Sequence, residues 1–270
     1  MAASVTASIE SLDFEGRGVT HVDGKVVFVE GALPGERVEI ETVRRKPSFE
    51  TAVTTAVRLA SPNRIDPRCA SFGICGGCSM QHVEQRAQVA AKQRVLEDNF
   101  AHIGQVRPET MLAPIHGPAW GYRYRARFSS RYVHKREGTL VGFRERRRSF
   151  VADMPSCEVV PPRISALLMP LRSLVDSLDI RERVPQIELA IGAEFEALAF
   201  RMLEAPSADD EQRLRAFADN HGVHIYLQPG GPDTVRRFHP AGDELLTYTL
   251  PDFDLEFRFA LTDFTQVNIG

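Results

Sequence analysis

Several large protein classes are excluded by what this 270-residue chain has little of. It contains four cysteines and one tryptophan. Met1 to Phe14 has neither the basic block nor the apolar block of a secretory leader, so the thiols are expected to be reduced rather than paired. Four reduced thiols serve as metal ligands, nucleophiles or core residues, not as a disulfide framework. No apolar run approaches the ~18 residues of a membrane span, which predicts a cytoplasmic protein without a membrane partner. There is no G-x-G-x-x-G and no G-x-x-x-x-G-K-[ST], so neither a dinucleotide fingerprint nor a P-loop is present. No repeat or low-complexity tract occurs. With 33 Lys and Arg against 36 Asp and Glu, the net charge is −3, which excludes a uniformly basic nucleic-acid binder while leaving room for a local basic patch.

What is present suggests two domains or one with an appended module. Residues 5–60 read as a small β module. Asp23-Gly24 lies between Val19–Val22 and Val26–Val29, and an Asp-Gly pair flanked by such runs signals a hairpin because it tolerates positive φ. Val38–Val43 and Ala52–Leu59 supply further strands, enough for a compact barrel. Residues 61–81 hold Pro62, Pro67, Gly73, Gly76, Gly77 and three cysteines, a composition that fits only a loop. A helix follows, with Val83, Ala87, Ala91, Val95, Leu96, Phe100 and Ile103 on one face and Gly104 at its C-cap. Residues 121–151 read as basic strands. Residues 161–178 read as a helix bearing Ile164, Leu167, Leu168, Leu171, Leu174 and Leu178, in which Pro170 predicts a kink or a break. Strands at Gln186–Ile191 and Glu196–Met202, a helix over Asp210–His221 closed by Gly222, and strands at His224–Gln228 and Leu255–Leu261 complete a mixed α/β region. Phe253, Leu255, Phe257, Phe259 and Leu261 alternate as in a strand joining a larger sheet.

Two constellations carry chemistry. Cys69, Cys75 and Cys78 lie within ten residues in a glycine-rich loop, and Cys157 comes from a distant irregular stretch. Four thiolates are the usual ligands of a [4Fe–4S] cluster. Structural zinc takes the same donors but usually as two close pairs, and buried core cysteines need no metal at all. The five-residue first gap differs from the C-x3-C-x2-C of radical enzymes, and Cys69 fits a ligand better than a nucleophile. The second constellation is Tyr122–Ser149, with ten Lys or Arg against Glu137 and Glu145. Arginine forks match phosphates, and Tyr122, Tyr124, Phe128 and Tyr132 could stack on unpaired bases. The residues singled out for RNA are Arg123, Arg125, Arg127, Arg131, Arg146 and Arg147; an RNA surface is favoured over the alternative of a solvated strand face or ion pairs with the acidic remainder.

These residues together resemble the bacterial 23S rRNA (uracil-5-)-methyltransferases of the RlmD/RumA type. Leu12–Val19, Gly24–Val29 and Gly31–Glu36 look like an N-terminal TRAM domain, an OB-like RNA-binding barrel. Cys69-x5-Cys75-Gly76-Gly77-Cys78-x2-Gln81-His82 with Cys157 matches the family's [4Fe–4S] pattern. Tyr122-Arg123-x-Arg125 matches the start of its central domain, and Phe264-Thr265-Gln266-Val267-Asn268 the motif opening its methyltransferase domain. The resemblance implies S-adenosyl-L-methionine-dependent methylation of uridine C5 in 23S rRNA by a monomer, with Gln266 touching the cofactor. It also implies a multidomain α+β fold: a TRAM barrel over 1–60, an iron–sulfur loop, helix and α/β central domain over 61–262, and a methyltransferase domain beginning at 263–270. In the family the nucleophilic cysteine and the base lie further on, so the expectation is that the Rossmann-like domain is essentially missing, that no catalytic residue is present, and that the chain is an inactive portion. A stand-alone metal-cluster RNA-binding adaptor is the alternative.

Overall fold

The structure is a computed structural model that describes residues 5–268. Residues 1–4 and 269–270, at the outer edges of the first and last expected domains, lie outside the described residues. The chain divides into two compact units, residues 1–73 with 78–116 and residues 74–77 with 117–270.

The first unit is built on a six-stranded sheet ordered β1-β5-β6-β4-β3-β2. The strands are β1 (Val5–Ser8), β2 (Ser11–Leu12), β3 (Gly18–Val22), β4 (Lys25–Glu30), β5 (Arg37–Arg45) and β6 (Phe49–Leu59). β1 pairs with β5 while β2, two residues further on, pairs with β3. Residues 5–12 therefore bridge both edges and close the sheet on itself, which leaves no long edge in this sheet to pair with another chain. The β3–β4 hairpin turns at Asp23 (φ 51°) and Gly24 (φ 77°), the two positive-φ positions that a tight hairpin turn requires. Alternation sends Val27, Val29, Val38 and Ile40 inward, where they pack with Ala7, Ile9, Ala32 and Ala52.

After β6 the chain enters the expected loop, which a short bridge between Arg64 and Val83 ties together. Helix α1 (Gln85–Asn99) follows, its first turn capped by the Glu84 carboxylate accepting from the Ala87 N–H. It ends in a wider turn over Phe100–Gly104, and Gln105 rather than Gly104 takes the left-handed cap position. None of its residues is buried.

The second unit holds a six-stranded sheet ordered β12-β11-β10-β9-β7-β8, from β7 (Arg125–Val133), β8 (Gly138–Gly142), β9 (Gln186–Ile191), β10 (Glu196–Arg201), β11 (His224–Gln228) and β12 (Arg236–His239). Only β10 and β11 run parallel, and α3 (Ala208–His221) makes the crossover between them. Ser207 caps α3 by accepting from the Asp210 N–H, and Gly222 (φ 62°) ends it. Helix α2 (Pro162–Ser177) runs unbroken through Pro170, so of the expected kink or break it is not the break that occurs. An interior proline costs about 3 kcal/mol. Here Ile164, Leu167, Leu168, Leu171, Leu174 and Val175 are buried on one face, at roughly 1.5–3 kcal/mol each, which is ample to hold the helix together.

The alternating run near the C-terminal end does not join the large sheet. It forms a separate hairpin of β13 (Leu246–Leu250) and β14 (Leu255–Phe259). Leu246, Phe259 and Leu261 are buried in a cluster with Ala190, Ala197 and Ala199. The segment after it also packs on the sheet: the Tyr124 N–H donates to the Val267 carbonyl at 2.7 Å.

Candidate nucleic-acid interface and cofactor segment

The arginines begin on β7. Ala126, Phe128 and Ser130 point into the core, so Arg125, Arg127 and Arg131 share the outer face, as strand alternation requires. Their surroundings differ sharply. Arg131 is exposed. Arg127 is 68% exposed and pairs with Glu188 of β9 at 3.0 Å, its partner in the strand register. Arg125 is half-buried and donates to the Leu261 carbonyl, to the Asp263 carbonyl at 2.5 Å and to Thr265 Oγ1 at 3.2 Å. Burial lowers its pKa, and Glu188 and Asp263 act in the opposite direction. Before the strand, Arg123 lays its guanidinium over the Phe143 ring, 5.4 Å from the centroid. In the loop after β8, Arg144, Arg147 and Arg148 are exposed and Arg146 is half-buried; the Arg146 N–H donates to the Ile74 carbonyl at 2.8 Å. The six arginines are therefore not one uniform phosphate-binding surface. Arg131 and Arg147 are exposed, whereas the guanidinium groups of Arg123 and Arg125 lie against the protein's own ring and backbone.

The cysteines are all free thiols, and each unit contributes two: Cys69 and Cys78 in the first, Cys75 and Cys157 in the second. In the first unit the Cys69 N–H donates to the buried Gln81 amide oxygen at 3.1 Å. In the second, Cys75 is buried with its Sγ 3.9 Å from Met154 Sδ and accepts from the Gly77 N–H at 3.4 Å. Cys157 is buried and its N–H donates to Ser165 Oγ at 2.8 Å. The glycines here are needed for close approach. A Cβ on Gly76 would stand 3.0 Å from the Arg144 carbonyl oxygen, and one on Gly77 would stand 2.9 Å from the Phe143 ring. Among the described residues no group of three or more Cys, His, Asp or Glu side chains could hold a metal ion. The [4Fe–4S] centre expected from the spacing is therefore not supported by the structure.

Gln266 is exposed on the segment that Tyr124 and Arg125 hold. A neutral amide open to solvent fits the polar groups of an amino-acid-bearing nucleoside, since it can both donate and accept. Sequence reasoning missed a cavity of about 810 Å³ in the second unit, lined by Glu194, Phe195, His224, Arg237, Glu244 and Thr247 among others. Phe195 stacks on His224 with centroids 3.9 Å apart, and burial, with Arg237 nearby, holds the His224 imidazole below its ordinary pKa. None of the residues singled out from the sequence lines it.

Comparison with known proteins places this arrangement. The TRAM domain family model matches residues 3–49. In fold, the chain resembles the tRNA (uracil-54, C5)-methyltransferase of Pyrococcus abyssi, solved in complex with S-adenosyl-L-homocysteine. The TM-score is 0.67 at 20% identity, over 97% of this chain and 61% of that one. The chain thus combines a match to the TRAM family model with the fold of that solved chain. In sequence it is 58% identical over 260 residues to the 23S rRNA (uracil(1939)-C(5))-methyltransferase RlmD of Nitrosospira multiformis, and 60% identical over 266 residues to that of Burkholderia lata. The chain is therefore, along 96% of its length, a homologue of the RlmD 23S rRNA (uracil-C5)-methyltransferases. It spans 57–59% of the length of these curated relatives.

Two expectations are overturned by these findings. The Rossmann-like domain was expected to be essentially missing, and the chain was expected to be a portion without catalysis or else a non-catalytic adaptor. Likeness to a solved methyltransferase runs through 97% of this chain, and homology to methyltransferases through 96%. Of residues 263–270, expected to begin a domain cut short, the described part, 263–268, is held on the β-sheet by Tyr124 and Arg125. The chain thus lies within a methyltransferase fold, and the position of its last residue says nothing about lost activity. Among the described residues no helix is long and apolar enough to cross a membrane.

Proposed function

We propose that this chain belongs to an enzyme that transfers a methyl group from S-adenosyl-L-methionine to C5 of a uridine in 23S rRNA. The observation that carries the reading is 58–60% identity to RlmD methyltransferases along 96% of the chain. In this reading residues 1–60 form the RNA-binding TRAM barrel and 61–262 the central domain, and 263–270 carry the methyltransferase motif. Gln266 would contact the methyl donor, which supplies an electrophilic methyl group when bound. The protein would act in the cytoplasm as a monomer. The target base must leave its stack to be reached, and the exposed arginines would hold the flanking phosphates while it does so. Incubating the protein with methyl-labelled S-adenosyl-L-methionine and unmodified 23S rRNA should label a single uridine at C5. Protein that binds this RNA but leaves every uridine unlabelled would overturn the reading.

For the RNA surface, Arg131 and Arg147 are the strongest contacts because they are exposed. Replacing both by Ala should weaken RNA binding across sequences alike. It should also flatten the plot of log affinity against log salt by about 0.7–0.9 per lost phosphate contact. Arg127→Ala should change little, since Glu188 already offsets its charge and an exposed pair is worth at most about 1 kcal/mol. An unchanged salt slope in the double variant would remove Arg131 and Arg147 from the interface.

The iron–sulfur part of the proposal rests on the sequence pattern Cys69, Cys75, Cys78 and Cys157 alone. Anaerobic purification followed by an iron and sulfide count should find about four of each per chain if a [4Fe–4S] cluster is held. Zinc without iron, or no metal, would withdraw it.

A further inference from the structure

The outer face of β7 was expected to meet RNA, yet one of its arginines is turned onto the protein's own backbone. Residues 261–268 contain no helix or strand, so their path is set by what holds them. Arg125 Nη2 donates to the Leu261 carbonyl, and Nη1 donates to the Asp263 carbonyl at 2.5 Å and to Thr265 Oγ1 at 3.2 Å. Next to it, the Tyr124 N–H donates to the Val267 carbonyl at 2.7 Å. Gln266 thus sits between two residues that are both held from the start of one strand. That strand start is itself fixed, because Arg125 pairs with Ala190 of β9 and the Ile191 N–H donates to the Tyr124 carbonyl at 3.0 Å. The Asp263 side chain tightens the near end of the segment by accepting from the Ala260 N–H at 2.8 Å.

We infer that Arg125 is a positioning residue for the methyl-donor contact: it fixes residues 261–265 on the sheet so that Gln266 is presented in one place, and it does not serve as a phosphate ligand. The guanidinium suits this task because its planar fork reaches separate acceptors at once, which a lysine ammonium on a flexible stem cannot reproduce. Arg127 and Arg131 on the same face make no such contact to this segment, so the role belongs to one position and not to the basic stretch as a whole.

This inference rests on the proposed function, through Gln266, and its test separates the two. In the intact protein, Arg125→Met and Arg125→Lys are compared with wild type by calorimetric titration of S-adenosyl-L-homocysteine, RNA titration against salt, and hydrogen exchange over 261–268. Arg125→Met should weaken nucleoside binding about tenfold or more, the size expected for losing hydrogen bonds from a charged donor. It should raise the KM for the methyl donor more than it lowers kcat, speed exchange in 261–268, and leave the RNA salt slope unchanged. Arg125→Lys should recover only part of the binding. Thr265→Val, which removes a single acceptor at a half-buried position, should shift binding the same way by a smaller factor and keeps the test open should Arg125→Met fold poorly. Unaltered nucleoside binding by the folded variants overturns the assignment, as does a salt slope reduced by about one, which would return Arg125 to the RNA. Wild type that binds no S-adenosyl-L-homocysteine would overturn the proposed function itself.

Discussion

Replacing Glu36 by Ala is expected to cost the first unit about 3–5 kcal/mol, the range for breaking a buried ion pair from one side. The Glu36 side chain is fully buried and accepts four hydrogen bonds. They come from the Leu33 N–H at 2.8 Å, the Ser61 N–H at 3.1 Å, Arg64 Nε at 2.6 Å and Arg64 Nη2 at 2.7 Å. Arg64 also donates to the Gly31 carbonyl at 2.6 Å. One carboxylate therefore joins the β4–β5 turn to the start of the cysteine-bearing loop, and its removal leaves two N–H groups and a guanidinium without their acceptor. Burial acts to raise the Glu36 pKa, but the Arg64 hydrogen bond and the two backbone N–H groups outweigh it, so the carboxyl lies below its ordinary value of 4.5. A depressed folded-state pKa adds stability that is fully present above the unfolded value and is lost as pH falls through the folded one. Urea unfolding should therefore show wild-type stability declining below about pH 4.5, with Glu36→Ala showing a shallower decline over the same window. A loss under 1 kcal/mol at neutral pH would mean that the barrel and the loop are joined by other contacts.

Elements defined by short-range signals were legible in the sequence, and contacts made over long separations were not. Asp23-Gly24 sets its hairpin because the turn chemistry is local; Gly222 ends α3 for the same reason, whereas the helix starts at Ala208 behind the Ser207 cap, two residues ahead of the expected Asp210. Strand alternation was expected to put Arg123, Arg125 and Arg127 on one face; β7 begins only at Arg125, so Arg125 and Arg127 share that face with Arg131 while Arg123 precedes the strand, and periodicity names a face and not a partner. The acceptors of Arg125 lie 136 to 140 residues away, and no local pattern announces them. Pro170 shows the opposite case: the local rule allowed a kink or a break, and the buried stripe of α2 overrides the break. β12 and β13 went unread because they are short, β12 being polar as well (Arg236–His239), and take their order from the neighbours they pair with. The cysteine spacing states that thiols could converge, while convergence is itself a long-range property that spacing does not decide. The final run shows the same limit, since its alternation is real but its partner is β13 and not the large sheet.

The other large effect is expected at Phe128, the buried residue between two of the β7 arginines. Phe128→Ala should destabilise the second unit by about 3–5 kcal/mol, through lost burial and the cavity left in a close-packed core. Phe128 is fully buried and its ring meets that of Phe143 at 5.1 Å, tilted by 53°. Phe143 in turn packs against Gly77, carries the Arg123 guanidinium on its face, and donates its N–H to Met154 Sδ at 3.4 Å, the sulfur that lies beside Cys75. The core aromatic thus underlies one arginine and the glycine turn at 74–77 together. Phe128→Leu keeps most of the volume and should cost under about 1.5 kcal/mol. Phe143→Ala, at a half-buried position, should cost less stability than Phe128→Ala while exposing Cys75 more to thiol-modifying reagents. If the two rings act as one support, their stability losses should fall short of additive by at least about 0.5 kcal/mol in a double-mutant cycle. Strict additivity, with Cys75 no more reactive in Phe143→Ala, would mean that the turn is held by its own backbone bonds, Gly76 N–H to the Arg144 carbonyl and Arg146 N–H to the Ile74 carbonyl, and that Phe128 serves the sheet alone.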